Sequence, residues 1–416
     1  MGLKRLYIAA AVSLIAALSA AGCSSGGSPS STPGSSASAG SIPIGVIGSF
    51  SGPDASFLVG ADKTIEAWAD TVNATGGIDG HKVRLFVEDD AANAETSVQD
   101  ARQLVQQDHV AAIVGDFSTE DASWAAYVQS QNIPVIGGGS VHPAFATNPD
   151  FFASGADYID GSYGVVAEAA DKGGSKSLGA VYCAEATVCS GIVQLFDVLG
   201  KSPNVSVNYQ GKVAQGTPDF TALCQAMKAA HSSYYDVSVA PSLIKQIFNQ
   251  CSSEGIQLPI ITLGDLDDTF AADPAFNHLV VVDPSFPFWQ DNTPATEAFH
   301  AALAKYAPGV GTSSASPLTP IVAQAWTSAK LFEAAADAAG SGPITSSTIK
   351  QGLYSLRNET LDGLTGPLNF KQGQANLEHC YFTYTITSEQ FTGLNNLKPS
   401  CAPAAAIDAA ASALTN

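Results

Sequence analysis

Short apolar runs alternate with stretches of helical apolar spacing along most of this chain, and that alternation restricts the fold more than any other feature. Residues 42–48 read as a strand. Leu58, Ala61, Ile65, Trp68 and Val72 then recur at helical spacing, and Gly76-Gly77 ends the helix. Further strands are predicted over 82–87, 110–114 and 133–136, separated by a helix marked by Ala94, Val98, Ala101 and Val105 and another over 121–131. The pattern resumes with strands at 178–182, 205–209, 237–240, 259–263 and 280–282, and helices around Leu195, Phe220 and Ile247. Strands separated by helices pair in parallel, with helices on both faces. Two such runs predict an α/β protein of two doubly wound parallel-sheet lobes.

Residues 151–155 carry the chain out of the first predicted sheet, and 283–288 carry it out of the second. Helical stretches over 296–306, 320–339 and 346–357 have no strands of their own, so they are assigned to the first lobe. Segments 368–370 and 380–386 read as terminal strands of the second lobe. The chain then crosses three times, which makes a hinge with a cleft. Lobe 1 is expected over 41–155 plus about 287–357, lobe 2 over 156–286 plus about 358–405, and a C-terminal tail over 406–416. Ligands of open parallel sheets sit beyond the carboxyl ends of the strands. Here those ends carry Gly- and Ser-rich loops that offer backbone donors and hydroxyls to a small polar ligand. Asp157 and Tyr158 follow the first crossing and are expected to face the cleft.

The N-terminus sets the compartment. Lys4 and Arg5 precede an apolar run over 6–20, and small residues lead into Cys23 as Ala20-Ala21-Gly22-Cys23. This reads as a signal peptide over 1–22 with a lipid-attachment cysteine at Cys23. The alternative is ordinary secretion. Residues 23–40 are mostly Ser, Gly, Pro and Ala, a flexible tether that spans roughly 20–25 Å as a random coil. The expected location is therefore extracytoplasmic, anchored to the cell membrane as a lipoprotein. A net charge of −20 argues against binding nucleic acid or anionic lipid through a basic patch.

Apart from Cys23 there are Cys183, Cys189, Cys224, Cys251, Cys380 and Cys401, an even set that suits disulfides outside the cytosol. Cys224 and Cys251 sit at the margins of two apolar helix faces that pack side by side if their strands are successive and parallel. Cys183 and Cys189 bracket a short strand-to-helix loop, which leaves Cys380 and Cys401 as the third pair. Free buried thiols are the alternative. No pair has metal-ligand spacing, so no metal and no cofactor is expected. No nucleophile-elbow, zinc-protease or phosphate-loop pattern occurs, and the histidines are scattered, so an exported hydrolase is a weak alternative.

Ile44-Gly45-Val46-Ile47-Gly48, Ser51-Gly52-Pro53, the turn Asn73-Ala74-Thr75-Gly76-Gly77-Ile78-Asp79-Gly80, Glu88-Asp89-Asp90-Ala91, Ala112-Ile113-Val114-Gly115 and Ile133-Pro134-Val135-Ile136 carry a resemblance. In their order and wording they resemble the type I periplasmic solute-binding proteins, in the branched-chain amino-acid (Leu/Ile/Val) receptor branch that serves ABC importers. The match is strong over 42–145 and continues as pattern to about 386. The resemblance implies a two-lobed hinged fold and a binding protein rather than an enzyme. Its ligand contacts carry over by position to Ser118 or Thr119, and to Gly139, Ser140 and Val141. Phe57 takes the place of an aromatic wall and Asp265 that of the acid meeting an ammonium group. The family's usual Thr is Val141 here, Cys189-Ser190 replaces a Tyr-Gly pair, and Ala240 or Pro241 replaces a further aromatic. These departures argue against assuming leucine, isoleucine or valine. The expected function is capture of a small polar ligand, an amino acid or amide-like compound, for delivery to an ABC permease. A tethered sensor reporting to a membrane signalling protein is the alternative.

Overall fold

The computed structural model describes residues 40–414 apart from 140–142, 172–175, 185–186, 202, 313–314 and 376–378. The leader, Cys23, nearly all of the tether, Ser140 and Val141 lie outside the described residues.

Strands β1 (Ile42–Gly48), β2 (Val83–Asp89), β3 (Ala112–Phe117), β4 (Val135–Gly138) and β5 (Phe151–Phe152) form a parallel sheet in the order β2-β1-β3-β4-β5. Strands β6 (Ser177–Cys183), β7 (Ser206–Val213), β8 (Tyr234–Ser238), β9 (Ile260–Thr262) and β10 (Val280–Asp283) form a second parallel array, ordered β7-β6-β8-β9-β10. The two orders are the same topology used twice. Strands β11 (Arg357–Glu359) and β12 (Leu368–Asn369) pair with each other alone. The second sheet continues past β10 with antiparallel β13 (Cys380–Thr387) and β14 (Gln390–Gly393), and β15 (Ser400–Cys401) pairs with β13.

Helices α1 (Ala61–Ala74), α2 (Ala94–Gln106), α3 (Ala125–Ser130) and α4 (Pro143–Thr147) connect the strands of the first sheet. Helices α5 (Tyr158–Asp171), α6 (Thr187–Leu199), α7 (Thr221–Ala230) and α8 (Pro241–Ser253) lead into and connect those of the second. Helices α9 (Pro294–Tyr306), α10 (Pro320–Ala339) and α11 (Ser346–Ser355) return to the first: α10 packs on α1, β4 and α11, and α9 packs on α1. The indole N–H of Trp68 in α1 donates to Glu333 Oε2 of α10 at 3.1 Å. The expected helix over 121–131 is split, with a single 3₁₀ turn at Asp121–Ser123 before α3.

Strand β1 shows why these runs are continuously apolar. Ile42, Ile44 and Val46 are buried in a cluster with Ile65 and Trp68, while Ile47 is buried in another with Leu104, Ile113 and Val135. A parallel strand covered by helices on both faces has no polar side to present. The two chain segments that pass between the sheets touch: the Ala156 amide donates to Pro284 O at 2.9 Å, and a Cβ on Gly155 would meet the same oxygen at 2.5 Å.

Two expectations change. Segment 368–370 does not join the second sheet. It pairs with β11, and Phe370 packs edge-on against Phe152 of β5 with ring centres 5.4 Å apart. Leu361, Leu364, Leu368 and Phe370 are all buried, and that apolar run keeps the segment beside the first sheet. The C-terminal tail includes a helix, α12 (Ala404–Leu414), whose Ile407 and Ala410 are buried against α5 and α6. Their three-residue spacing is a short apolar stripe that suffices for docking.

The turn between α1 and β2 has a direct physical reading. Asn73 Nδ2 donates to Val83 O at 2.9 Å and Asn73 Oδ1 accepts from the Val83 amide at 2.8 Å, so one side chain ties the helix end to the strand start. Gly77 has φ +88°, and a Cβ there would lie 2.1 Å from His81 O. Gly80 has a similar φ of +81° but open space around it. Gly77→Ala is expected to destabilise the fold by about 1–3 kcal/mol, and Gly80→Ala by less. Chemical denaturation of both variants checks this, and equal losses would show that strain in φ rather than the close approach governs the turn.

Candidate ligand-binding cleft

When a strand order reverses direction around its first strand, the loops leaving the two strands on either side of that point part and leave a crevice. Here the reversal occurs between β1 and β3 in one sheet and between β6 and β8 in the other. A cavity of about 190 Å³ lies where both crevices meet. From the first sheet it is lined by Asp54, Phe57 and Leu58 after β1, by Asp116, Phe117 and Thr119 at the end of β3, and by Gly139 after β4. From the second it is lined by Cys183, Cys189 and Ile192 after β6, by Ser238 ending β8, and by Leu263, Gly264 and Asp265 after β9. Tyr158 at the start of α5 and Ile321 and Gln324 near the start of α10 complete it.

The first wall is organised by a buried carboxylate outside the cavity. Asp90 Oδ1 accepts from Ser49 Oγ at 2.7 Å and the Ala92 amide at 2.9 Å, and Oδ2 accepts from Ser97 Oγ at 2.8 Å and from Ser118 Oγ. Ser49 Oγ in turn accepts from the Thr119 amide at 3.1 Å and lies 3.2 Å from Thr119 Oγ1. Hydroxyl hydrogen bonds thus connect the Asp90 carboxyl to the loop that presents Thr119. With its amide nitrogen turned toward the first sheet, Gln324 donates to Gly138 O and Gly139 O at 3.3 and 3.2 Å.

Carboxyl groups dominate the polar part of the lining, and no Lys, Arg or His lines it among the described residues. Asp116 is fully buried. Its Oδ1 accepts from the Ser118 amide at 3.1 Å, while Oδ2 has no hydrogen-bond partner. Burial, then the neighbouring charge of Asp121, pushes its pKa well above the ordinary range. Asp265 is partly exposed, and its amide donates to Thr262 Oγ1 at 3.2 Å. Desolvation, then the charge of Asp236, raises Asp265 in the same direction. Asp236 lies behind Ser238, whose hydroxyl donates to its Oδ2 at 2.9 Å, and burial pushes it up to about 7. The Tyr158 hydroxyl is raised by its burial and by the charges of Asp236 and Asp265.

The structure brings Phe57, Thr119, Gly139, Tyr158 and Asp265 together around the cavity. Ser118 lies off the lining with its hydroxyl on Asp90, and Asp157 lies off it as the cap of α5, where Oδ1 accepts from the amides of Ile159 and Asp160 at 2.8 and 3.0 Å. Asp116, Asp54, Ser238, Ile321 and Gln324 line the cavity and were not singled out from sequence. For Asp116 and Ser238 the available signal was a polar residue at the carboxyl end of an apolar strand. The structure pairs Cys183 with Cys189 in the cavity wall, Cys224 with Cys251 between α7 and α8, and Cys380 with Cys401 between β13 and β15.

A family model described as periplasmic binding protein matches residues 41–390. The curated protein Leu/Ile/Val-binding protein homolog 3 of Brucella melitensis is 30% identical over 196 residues, which cover 45% of this chain and 52% of that protein. The amino acid binding protein of Pseudomonas aeruginosa is 36% identical over 103 residues, 24% of this chain and 28% of that one. The chain thus spans about half or less of the length of these relatives. Among solved structures, a branched chain amino acid ABC transporter from Thermus thermophilus with bound valine superposes with a TM-score of 0.77 at 15% identity, covering 88% of this chain and 97% of that one. A fatty acid ABC transporter substrate-binding protein from Thermomonospora curvata gives 0.71 at 17% identity, covering 86% and 92%. At these identities the structural likeness speaks to the fold.

The buried carboxyls give the protein a testable pH signature. Asp236 and Asp283 are each pushed up to about 7 by burial. A carboxyl raised in the folded state favours that state while protonated. Its contribution is present at low pH and is lost as pH rises from about 4, where the unfolded chain ionises, to about 7. Asp236→Asn stays neutral throughout. It is expected to flatten the fall in melting temperature across that window and to melt higher than the unchanged protein above pH 7. Scanning fluorimetry without ligand measures both, and an unaltered pH profile would place the ionisation on another group.

Proposed function

The chain belongs to the periplasmic binding protein family, and from that membership we propose that it is a lipid-anchored extracytoplasmic solute-binding protein. It captures an amino acid or amide-like compound by hinge closure and delivers it to an ABC importer. The observation that carries the reading is the cavity where the reversal points of two identically ordered parallel sheets meet. A ligand in such a place touches both halves at once, so it binds the closed form better than the open one and shifts the equilibrium toward closure. Lobe 1 comprises the first sheet with α9 to α11 and the β11–β12 ribbon; lobe 2 comprises the second sheet with α12. Phe57 and Thr119 meet the ligand from lobe 1, and Tyr158 and Asp265 from lobe 2, with Asp265 receiving an amine. Cys23 carries the lipid, and the tether lets the domain reach a neighbouring permease. The curated relatives are named as binding proteins for amino acids, which supports the ligand class.

Calorimetry of the mature protein against amino acids, their amides and short peptides is expected to find a ligand. Asp265→Asn should weaken an amine-bearing ligand more than tenfold, about 1.4 kcal/mol. Thr119→Ala should cost on the order of one hydrogen bond, about 0.5–1.5 kcal/mol. Small-angle scattering should show compaction on binding; binding without compaction would refute hinge closure. Cys23→Ser is expected to move the protein from the membrane fraction to the soluble one, and its retention in membranes would remove the lipid anchor.

A further inference from the structure

Asp116 stands out among the polar groups of the cavity. It lines the wall, it is fully buried, and one carboxyl oxygen has no partner. A buried acceptor left unmade carries a desolvation cost that a donor from the ligand removes. Asp265 lines the opposite wall, on the second sheet, with Asp236 behind it. Each half of the cleft therefore presents a carboxyl group. Phe57, Leu58, Phe117, Ile192, Leu263 and Ile321 give the rest of the lining a largely apolar character, with Thr119, Ser238 and Gln324 as its uncharged polar groups.

Resting on the solute-binding reading above, we infer that the cleft takes a ligand with a nitrogen donor at each end of an apolar body, an α,ω-diamine or an amino amide, rather than a free amino acid. One nitrogen donates to Asp116 and the other to Asp265. A ligand carboxylate has no counter-charge here, because no Lys, Arg or His lines the cavity among the described residues. Donation from a neutral Asp116 to such a carboxylate would leave its negative charge facing Asp54 and Asp265, both in the same lining. The two-ended arrangement also couples binding to closure, since one nitrogen is held by each sheet.

The groups facing Asp116 are Asp121 and Asp90, and those facing Asp265 are Asp236 and Tyr158. All of them are acids. A dication therefore draws both carboxyls into their charged form and releases protons on binding. The test is calorimetry of the mature protein with α,ω-diamines from 1,3-diaminopropane to 1,8-diaminooctane, the matched monoamines, leucinamide and leucine. At least one two-nitrogen compound is expected to bind tenfold or more tighter than its monoamine, with heats that vary with buffer ionisation and report proton release. Asp116→Asn should reduce that advantage to less than threefold. The proton release is measured on the unchanged protein, so the inference stays testable if Asp116→Asn does not fold. Leucine binding more tightly than every two-nitrogen compound, or no diamine or amide binding at all, would overturn the inference. The solute-binding reading falls only if the wider panel of amino acids, amides and peptides also fails.

Discussion

Parallel strands can pair only if the chain returns each time to the same end of the sheet, and almost everything about this molecule follows from that constraint. The return trips become helices, the strands become buried on both faces, and every strand releases its loop at the same edge. The order β2-β1-β3-β4-β5 makes the chain step first to one side of β1 and then to the other. Loops that leave β1 and β3 must therefore diverge. Repeating the order in β7-β6-β8-β9-β10 makes a second divergence, and the cavity forms where the two face each other. The cavity is thus a consequence of connectivity, and the loop residues decide only its chemistry.

That chemistry is unusual in its sign. Fully buried carboxyls are costly unless they are protonated, paired or satisfied by donors. Asp90 takes the last route, with hydroxyls and an amide on both oxygens. Asp283 is satisfied by the Tyr384 hydroxyl at 2.9 Å and the Ser285 amide at 3.2 Å. Asp116 and Asp236 each keep an oxygen without a partner, and both stand at or directly behind the cavity wall.

The alternation of apolar runs makes both sheets and nearly all of their helices legible in the sequence, because burial on two faces demands continuous apolar strands. Phe57, Thr119 and Asp265 were legible as candidates through the family resemblance of the segments around them, and Tyr158 through its place just after the first crossing. Ser118 shows the limit. A serine beside Thr119 in the same loop reads as an equal candidate, but its hydroxyl turns inward to Asp90, 28 residues away in the chain. Asp116 was hidden differently. The pairing of β1 with β3 shifts register between Gly45 and Ile47, and Gly115 adopts φ +89° just before it, so strict alternation does not give the direction of the following side chains. Ile321 and Gln324 come from a helix that returns to the first sheet long after that sheet is complete, and no local pattern reveals which of its residues reach the cleft. The pairing of β12 with β11 was missed because β11 is Arg357–Glu359 and carries no apolar residue, and α12 was missed because its buried stripe is only a few residues long.

The two walls of the cavity are also held by different means. All three disulfides belong to elements of the second sheet: Cys183–Cys189 in the wall itself, Cys224–Cys251 clipping α7 to α8, and Cys380–Cys401 clipping β13 to β15. The bridges over 27 and 21 residues restrict the unfolded chain more than the six-residue one, which acts locally between the end of β6 and the first turn of α6, the helix that carries Ile192. The described cysteines include none on the first sheet, and its wall relies on Asp90, its ring of serines, and the reach of Gln324 to Gly138 and Gly139. The second wall is thus closed by a covalent link, and the first by hydrogen bonds to Asp90 whose buried partners would each carry a desolvation cost if the serines moved away.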